Sequence, residues 1–230
     1  MKPAQGRTIT VVEHGPYLVC GGVPLANQHI VSNAQGESIE WREGEAIAHP
    51  GEYALCRCGR SKRKPFCDGT HEKVGFDGAE TASRMPFENQ AREFEGPEMV
   101  LEDAEHLCAL ARFCDPHGQV WHIVARTDQP HARQLLEHEA GHCPAGRLVA
   151  RDRATGEAVE PHFEPSIGLV QDTASGISGP IWAPGGIPIV GADGDAYEVR
   201  NRVTLCWCGV SSNKPFCDGT HVPFRFNDRE

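Results

Sequence analysis

The sequence predicts an α+β protein in which two small β-rich modules at the ends enclose an α+β middle segment. Three observations lead there. The stretch CRCGRSKRKPFCDGTH (56–71) returns without a gap as CWCGVSSNKPFCDGTH (206–221). Upstream of each copy lies a second, looser repeat, GPYLVCGGVPL (15–25) against GPIWAPGGIPI (179–189). Between the copies the pattern changes to mixed helix and strand signals, with no trace of the repeat. The expected boundaries are 1–85, 86–165 and 166–230.

Taken in order, the GP…GG(V/I)P(L/I) element reads as a short apolar strand, a Gly-Gly turn and the start of another strand. From Gly21 to Cys56 is 35 positions and from Gly185 to Cys206 is 21, so the first copy carries 14 extra residues, placed around 26–52. EYALCRC (52–58) and EVRNRVTLCWC (198–208) read as strands that run into the first cysteines. The polar stretch after them, ending in proline, is a loop. Asp68 and Asp218 suit the start of a helical turn, because a short carboxylate accepts from the N–H groups that follow it.

Residues 72–106 are acidic and loop-like, a linker followed by a strand or helix start. DAEHLCALARF (103–113) predicts an amphipathic helix with Leu107, Leu110 and Phe113 near one face. VWHIV (120–124) predicts a strand. A further helix starts near Asp128 with Pro130 in its first turn, runs through Leu135 and Leu136, and is stopped by Gly141 and Pro144.

Composition narrows the function. Of 230 residues, 39% are hydrophobic and 23% charged, as in ordinary globular proteins. No apolar run approaches the roughly 20 residues of a membrane span. MKPAQGRTITVVEHG lacks the apolar core of a secretion signal, so a cytoplasmic, reducing location is expected. A net charge of −10 repels nucleic acid. Ten cysteines in such a compartment point to metal or catalysis rather than to disulfides.

Each long repeat offers Cys-x-Cys, eight residues, Cys, three residues and His. In a helical turn Cys67 and His71 share a face at i and i+4. In extended chain Cys56 and Cys58 share a face because the side-chain period is two. Three thiolates and an imidazole suit zinc or an iron–sulfur cluster. Zinc knuckles usually separate their cysteines by two residues, and here there is one. Two thiolates on one iron, with Cys67 and His71 on a second, favour a two-iron cluster.

Both copies resemble the CDGSH iron–sulfur domain family, the mitoNEET-like proteins, whose pattern is C-x-C-x2-[ST]-x3-P-x-C-D-G-[SAT]-H. Ser61 and Ser211, Pro65 and Pro215, and CDGTH twice all fit it. The resemblance implies a [2Fe–2S] cluster on Cys56, Cys58, Cys67 and His71, and another on Cys206, Cys208, Cys217 and His221. It also implies a soluble two-motif member, a monomer whose two modules reproduce the family's dimer as an intramolecular pseudo-dimer. Such centres carry electrons or deliver clusters to an apo acceptor, and provide no substrate pocket, so no enzymatic activity is expected. One imidazole per site raises the potential and makes the site labile in acid. Arg57, Arg60, Lys62, Arg63 and Lys64 flank the first site, while the second keeps only Lys214. The 56–71 cluster is therefore expected to be reduced first, and the 57–64 loop to dock an acidic partner. A zinc-binding structural or adaptor protein with the same ligands is the alternative.

The middle segment adds Cys108, Cys114 and Cys143, the last followed by Pro144. CPAGRLV (143–149) is similar to the corresponding stretch of single-cluster ferredoxin-like domains. Three cysteines fall short of the four ligands of a [4Fe–4S] cluster. The expectation is a ferredoxin-like segment keeping them as core, with a third cluster at Cys108, Cys114 and Cys143 as the alternative. HEAGH (138–142) matches the H-E-x-x-H zinc peptidase pattern, with glutamate as base. It falls at a helix end and shows no third ligand by spacing. Cys20 has no counterpart, because Pro184 stands in its place, and is read as packing.

Overall fold

The structure is a computed structural model, and residues 6–229 are described. Residues 1–5, which open the stretch read for a leader, lie outside the described residues. Among the described residues, twelve short strands arrange into three sheets.

The upstream repeat folds as its sequence predicts. Strand β1 (Thr8–Val11) leads into β2 (Tyr17–Cys20), and β3 (Leu25–Ser32) follows Gly21 and Gly22. In the second copy β9 (Ile167–Asp172) precedes β10 (Ile177–Pro184), and β11 (Ile189–Val190) follows Gly185 and Gly186. All four glycines have φ between +62° and +83°, the left-handed region where a Cβ is strained. The pair turns the chain so that the strand after it leaves its own sheet. β11 joins β1 in parallel, Ile9 opposite Ile189. β3 joins β9 in parallel, Leu25 opposite Ile167.

Each end of the chain thus donates a strand to the other. With β4 (Ser38–Ala46), β5 (Tyr53–Leu55) and β12 (Arg202–Leu205), the sheet orders are β11-β1-β2-β5 and β12-β10-β9-β3-β4. The pairing registers correspond: Tyr17 faces Leu55, and Ile181 faces Leu205. The 14 extra residues lengthen β3 and make β4, which pairs back on it as a hairpin. Alternation puts Tyr17 and Val19 inside and Leu18 outside. One core takes Ile9, Tyr17, Leu55, Ile167, Ile181, Leu205 and Trp207 from both ends. Burying each such side chain contributes about 1.5–3 kcal/mol, so neither end keeps its core without the other.

The middle is a separate three-stranded antiparallel sheet, β6 (Arg92–Glu95), β7 (Met99–Asp103) and β8 (Leu148–Asp152), in that order. Helices α2 (Val120–Ile123) and α3 (Pro130–His142) cover it through Val120, Ile123, Leu136, Met99, Leu101 and Leu148. Helix α3 starts as predicted, with Pro130 in its first turn, but runs through Gly141 and ends at His142. Two expectations fail here. VWHIV is helical, because Val120, Ile123 and Val124 repeat at i, i+3 and i+4 and all face the core, and this outweighs their β propensity. DAEHLCALARF forms one 3-10 turn at Glu105–Leu107 and then an irregular strap with positive φ at Leu110 (52°) and Arg112 (63°). Its apolar side chains serve different neighbours: Leu107 enters the shared core, Phe113 meets Trp41, and Leu110 lies against Gly219.

Arg202 ties the middle to the second module. Its guanidinium is buried, donates to Cys143 O (2.6 Å), Ala140 O (2.7 Å) and Leu148 O (3.0 Å), and pairs with Glu160. Among the described residues no helix is long and apolar enough to cross a membrane.

Candidate metal centres

The two ligand loops are built alike. The cysteines do not lie on the strands themselves: β5 ends at Leu55 and β12 at Leu205, and the first two cysteines of each set follow in a turn. Backbone bonds close the neck of each loop, Cys56 N to Pro65 O (2.8 Å) with Cys67 N to Ala54 O (2.9 Å), and Cys206 N to Pro215 O (2.9 Å) with Cys217 N to Thr204 O (2.9 Å). Ser61 Oγ donates to Phe66 O (2.6 Å) and accepts from Arg63 N (3.0 Å). Ser211 does the same with Phe216 O (2.8 Å) and Asn213 N (3.0 Å).

The aspartate of CDGTH braces the loop in both directions. Asp68 accepts from Thr70 N (3.0 Å) ahead and Lys62 N (2.9 Å) behind. Asp218 accepts from Thr220 N (3.0 Å) and Ser212 N (2.8 Å). The forward bonds to the following N–H groups were legible, but they close local turns rather than cap a helix, since Gly69 is the N-cap of the first helical turn and no helix follows Asp218. In the first copy a short helix, α1 (Thr70–Lys73), follows.

These braces bring the predicted ligands together in pairs. Cys56 Sγ lies 3.8 Å from Cys58 Sγ, and Cys67 Sγ lies 3.3 Å from His71 Nδ1. In the second loop the same separations are 3.7 Å and 3.3 Å. The thiol of Cys58 and the N–H groups of Ser61 and Gly59 hold Cys56 below the usual thiol range despite burial. Cys206 is lowered in the same way by Cys208, Ser211 and Gly209. The other thiols go the opposite way: the neighbouring Cys56 and Cys206 sulfurs and burial raise Cys58 and Cys208, and burial raises Cys67 and Cys217.

The loops also approach each other. A Cβ on Gly59 would stand 2.5 Å from Cys208 O, and one on Gly209 2.5 Å from Cys58 O. Tyr17, at the position of Ile181, reaches across to donate to Cys206 O (2.7 Å) and Pro215 O (2.9 Å).

Residues 14–72 and 178–222 match the family described as iron-binding zinc finger, CDGSH type, and residues 94–153 match the one described as divergent 4Fe-4S mono-cluster. The chain carries two CDGSH iron-binding modules. No curated protein and no solved structure matches it.

The surroundings of the CDGSH sites differ. In the second, Cys217 and His221 are buried, and Cys217 packs with Ala109, Ala145 and Cys143 of the middle. Burial pushes the His221 imidazole down to about 4. In the first, Cys67 is half-buried and the His71 side chain is 15% exposed. Of the predicted basic loop, Arg57 is corrected: it is buried, donates to Gly78 O (2.7 Å) and Val12 O (3.2 Å), and stacks on Tyr17. Its counterpart Trp207 donates to Gly179 O (2.6 Å). Arg60, Lys62 and Lys64 instead line an open groove of about 610 Å³ with Phe224, Arg225 and Arg229, residues the sequence reading did not single out.

Cys108, Cys114 and Cys143 lie near enough to one another that burial and their mutual charge both raise Cys114 and Cys143. For Cys114 burial is the larger cause, with Asp115 next. Cys20 ends β2 opposite Thr8, away from both ligand sets.

Proposed function

We propose that the protein is an electron or cluster carrier holding two [2Fe–2S] clusters, one on Cys56, Cys58, Cys67 and His71 and one on Cys206, Cys208, Cys217 and His221. The observation that carries this is the pairing of ligands. One tetrahedral ion with bonds of about 2.0–2.3 Å needs all four donors within about 4 Å of each other. Among the described residues, neither cysteine set brings three donor atoms within 4.8 Å of one another, although both pairs in each set are closer than 4 Å. Two pairs set apart suit two metals with sulfide between them, and speak against a single zinc.

When bound, such a cluster supplies a one-electron couple. The chain's own residues orient the sulfurs, exclude water from the second site and, by burial, keep the His221 imidazole neutral. The proposal includes an intramolecular pseudo-two-fold, supported by the reciprocal strand exchange and the reciprocal approach of Gly59 and Gly209. It includes an acidic redox partner or apo acceptor at the groove of Arg60, Lys62, Lys64, Arg225 and Arg229, and earlier reduction of the more accessible 56–71 site.

A second reading concerns the middle. Its match to the divergent 4Fe-4S family and the three neighbouring thiols favour a third cluster over a cysteine-lined core. Iron and acid-labile sulfide on anaerobically purified protein test both. About four of each per chain supports two [2Fe–2S] clusters, and about eight adds the third. Little iron with about two zinc overturns the proposal.

A further inference from the structure

HEAGH has no part in the sites above, yet its histidines meet an unforeseen partner. His138 and His142 lie one turn apart near the end of α3, with ring centroids 3.9 Å apart. Glu40 of β4, about a hundred residues upstream, places Oε1 2.8 Å from His142 Nε2. Among the described residues, only Glu40, His138 and His142 bring three such donor atoms within 4.8 Å of one another. A tetrahedral ion with bonds near 2.1 Å wants edges of about 3.4 Å, so the three need only small rotations.

The surrounding bonds fix the free nitrogen of each ring: His138 Nε2 lies 3.2 Å from Ile39 O and so carries the proton, leaving Nδ1 for an ion. His142 Nδ1 lies 2.7 Å from His138 O, and a carbonyl only accepts, so Nδ1 carries the proton and Nε2 is the nitrogen turned to Glu40. The Glu40 carboxylate is fixed by Trp41 N (2.9 Å). Trp41 Nε1 donates to His142 O (3.1 Å), and its ring stacks on Trp182, so strand and helix end are held in register. Glu139, the base of the peptidase pattern, turns the other way: it is buried and accepts from His117 Nδ1 (2.8 Å). The motif therefore offers ligands without its catalytic glutamate.

We propose that Glu40, His138 and His142 form a separate mononuclear site for a divalent ion of the zinc class, which pins β4 to the end of α3. Two imidazoles and a carboxylate suit zinc, and the absence of thiolate from the set disfavours an iron–sulfur cluster there. The fourth position opens to solvent, since Glu40 and His138 are exposed.

The test is calorimetric titration of Zn²⁺ into the full-length, cluster-loaded protein, with the cluster absorption recorded before and after. The expected result is one zinc per chain with the absorption retained. Glu40→Gln, His138→Gln and His142→Gln each weaken uptake at least tenfold, while Glu43→Gln on the same strand does not. No uptake by the loaded wild-type protein overturns the site. So does uptake that is equal in all four variants, or that Glu43→Gln weakens as much as Glu40→Gln, because zinc is then held elsewhere or by diffuse charge.

Discussion

The same sixteen-residue frame is used twice, and the two copies end in different surroundings. Residues 56–71 sit at an open, basic edge, whereas residues 206–221 lie under the strap around residues 108–110 and beside Ala145. The ligand geometry is equal within 0.1 Å, since the Cys–Cys separations are 3.8 and 3.7 Å and both Cys–His separations are 3.3 Å. What differs is access of water and charge. The same frame is thus placed in two environments by what covers it, with its four cysteine and histidine positions unchanged.

The largest effects come from the ligands. On the proposed assignment, Cys67→Ser and Cys217→Ser each remove one cluster, lowering iron by about two per chain. If either variant loses all iron, the two sites are not independent and the comparison fails. Acid comes next. Burial favours neutral His221, whose value falls to about 4, so its contribution to folding is full above about 6.5 and is lost as pH falls from there toward 4. The buried site should keep its cluster to lower pH than the first site, where the His71 side chain is 15% exposed. Stepwise bleaching assigned with the two Cys→Ser variants checks the order, and bleaching of the buried site first reverses it.

A steric test sharpens the contrast. Gly69 and Gly219 both have φ near +80°, so alanine strains each by about 1–2 kcal/mol. A Cβ on Gly69 meets nothing within 4 Å, whereas on Gly219 it stands 2.6 Å from the Leu110 side chain. Gly219→Ala should cost about 1–3 kcal/mol more than Gly69→Ala in denaturant melts. Equal costs would mean that the strap yields freely. The smallest effect is electrostatic: Lys62→Glu should slow reduction by a negatively charged donor a few-fold at low salt, and the difference should vanish at high salt. The corresponding change at Ser212 should do less.

Much of this was legible in the chain. The eight candidate ligands were legible from the repeated spacing, but the local geometry behind them was not: Cys56 and Cys58 lie beyond the end of β5, and Cys67 lies ahead of α1. Strands β2, β5, β10 and β12 and the Gly-Gly turns follow from short alternating runs and positive-φ positions. Helix α3 follows from Pro130 and its apolar repeat. The failures share a cause. At 103–113 the apolar residues are shared among three neighbours, and at 120–124 burial of one face overrode propensity. Both depend on partners distant in sequence.

By itself the sequence determined the duplicated frame and which cysteines and histidines recur in it, since these rest on local spacing and on turns that favour glycine. Only the tertiary structure decided that β3 and β11 exchange sheets, that Arg57 is buried, that the strap covers Cys217, and that Glu40 meets His138 and His142. Those outcomes come from packing and charge between segments from tens to well over a hundred residues apart. No local periodicity encodes which of several apolar or ionic partners a side chain will reach.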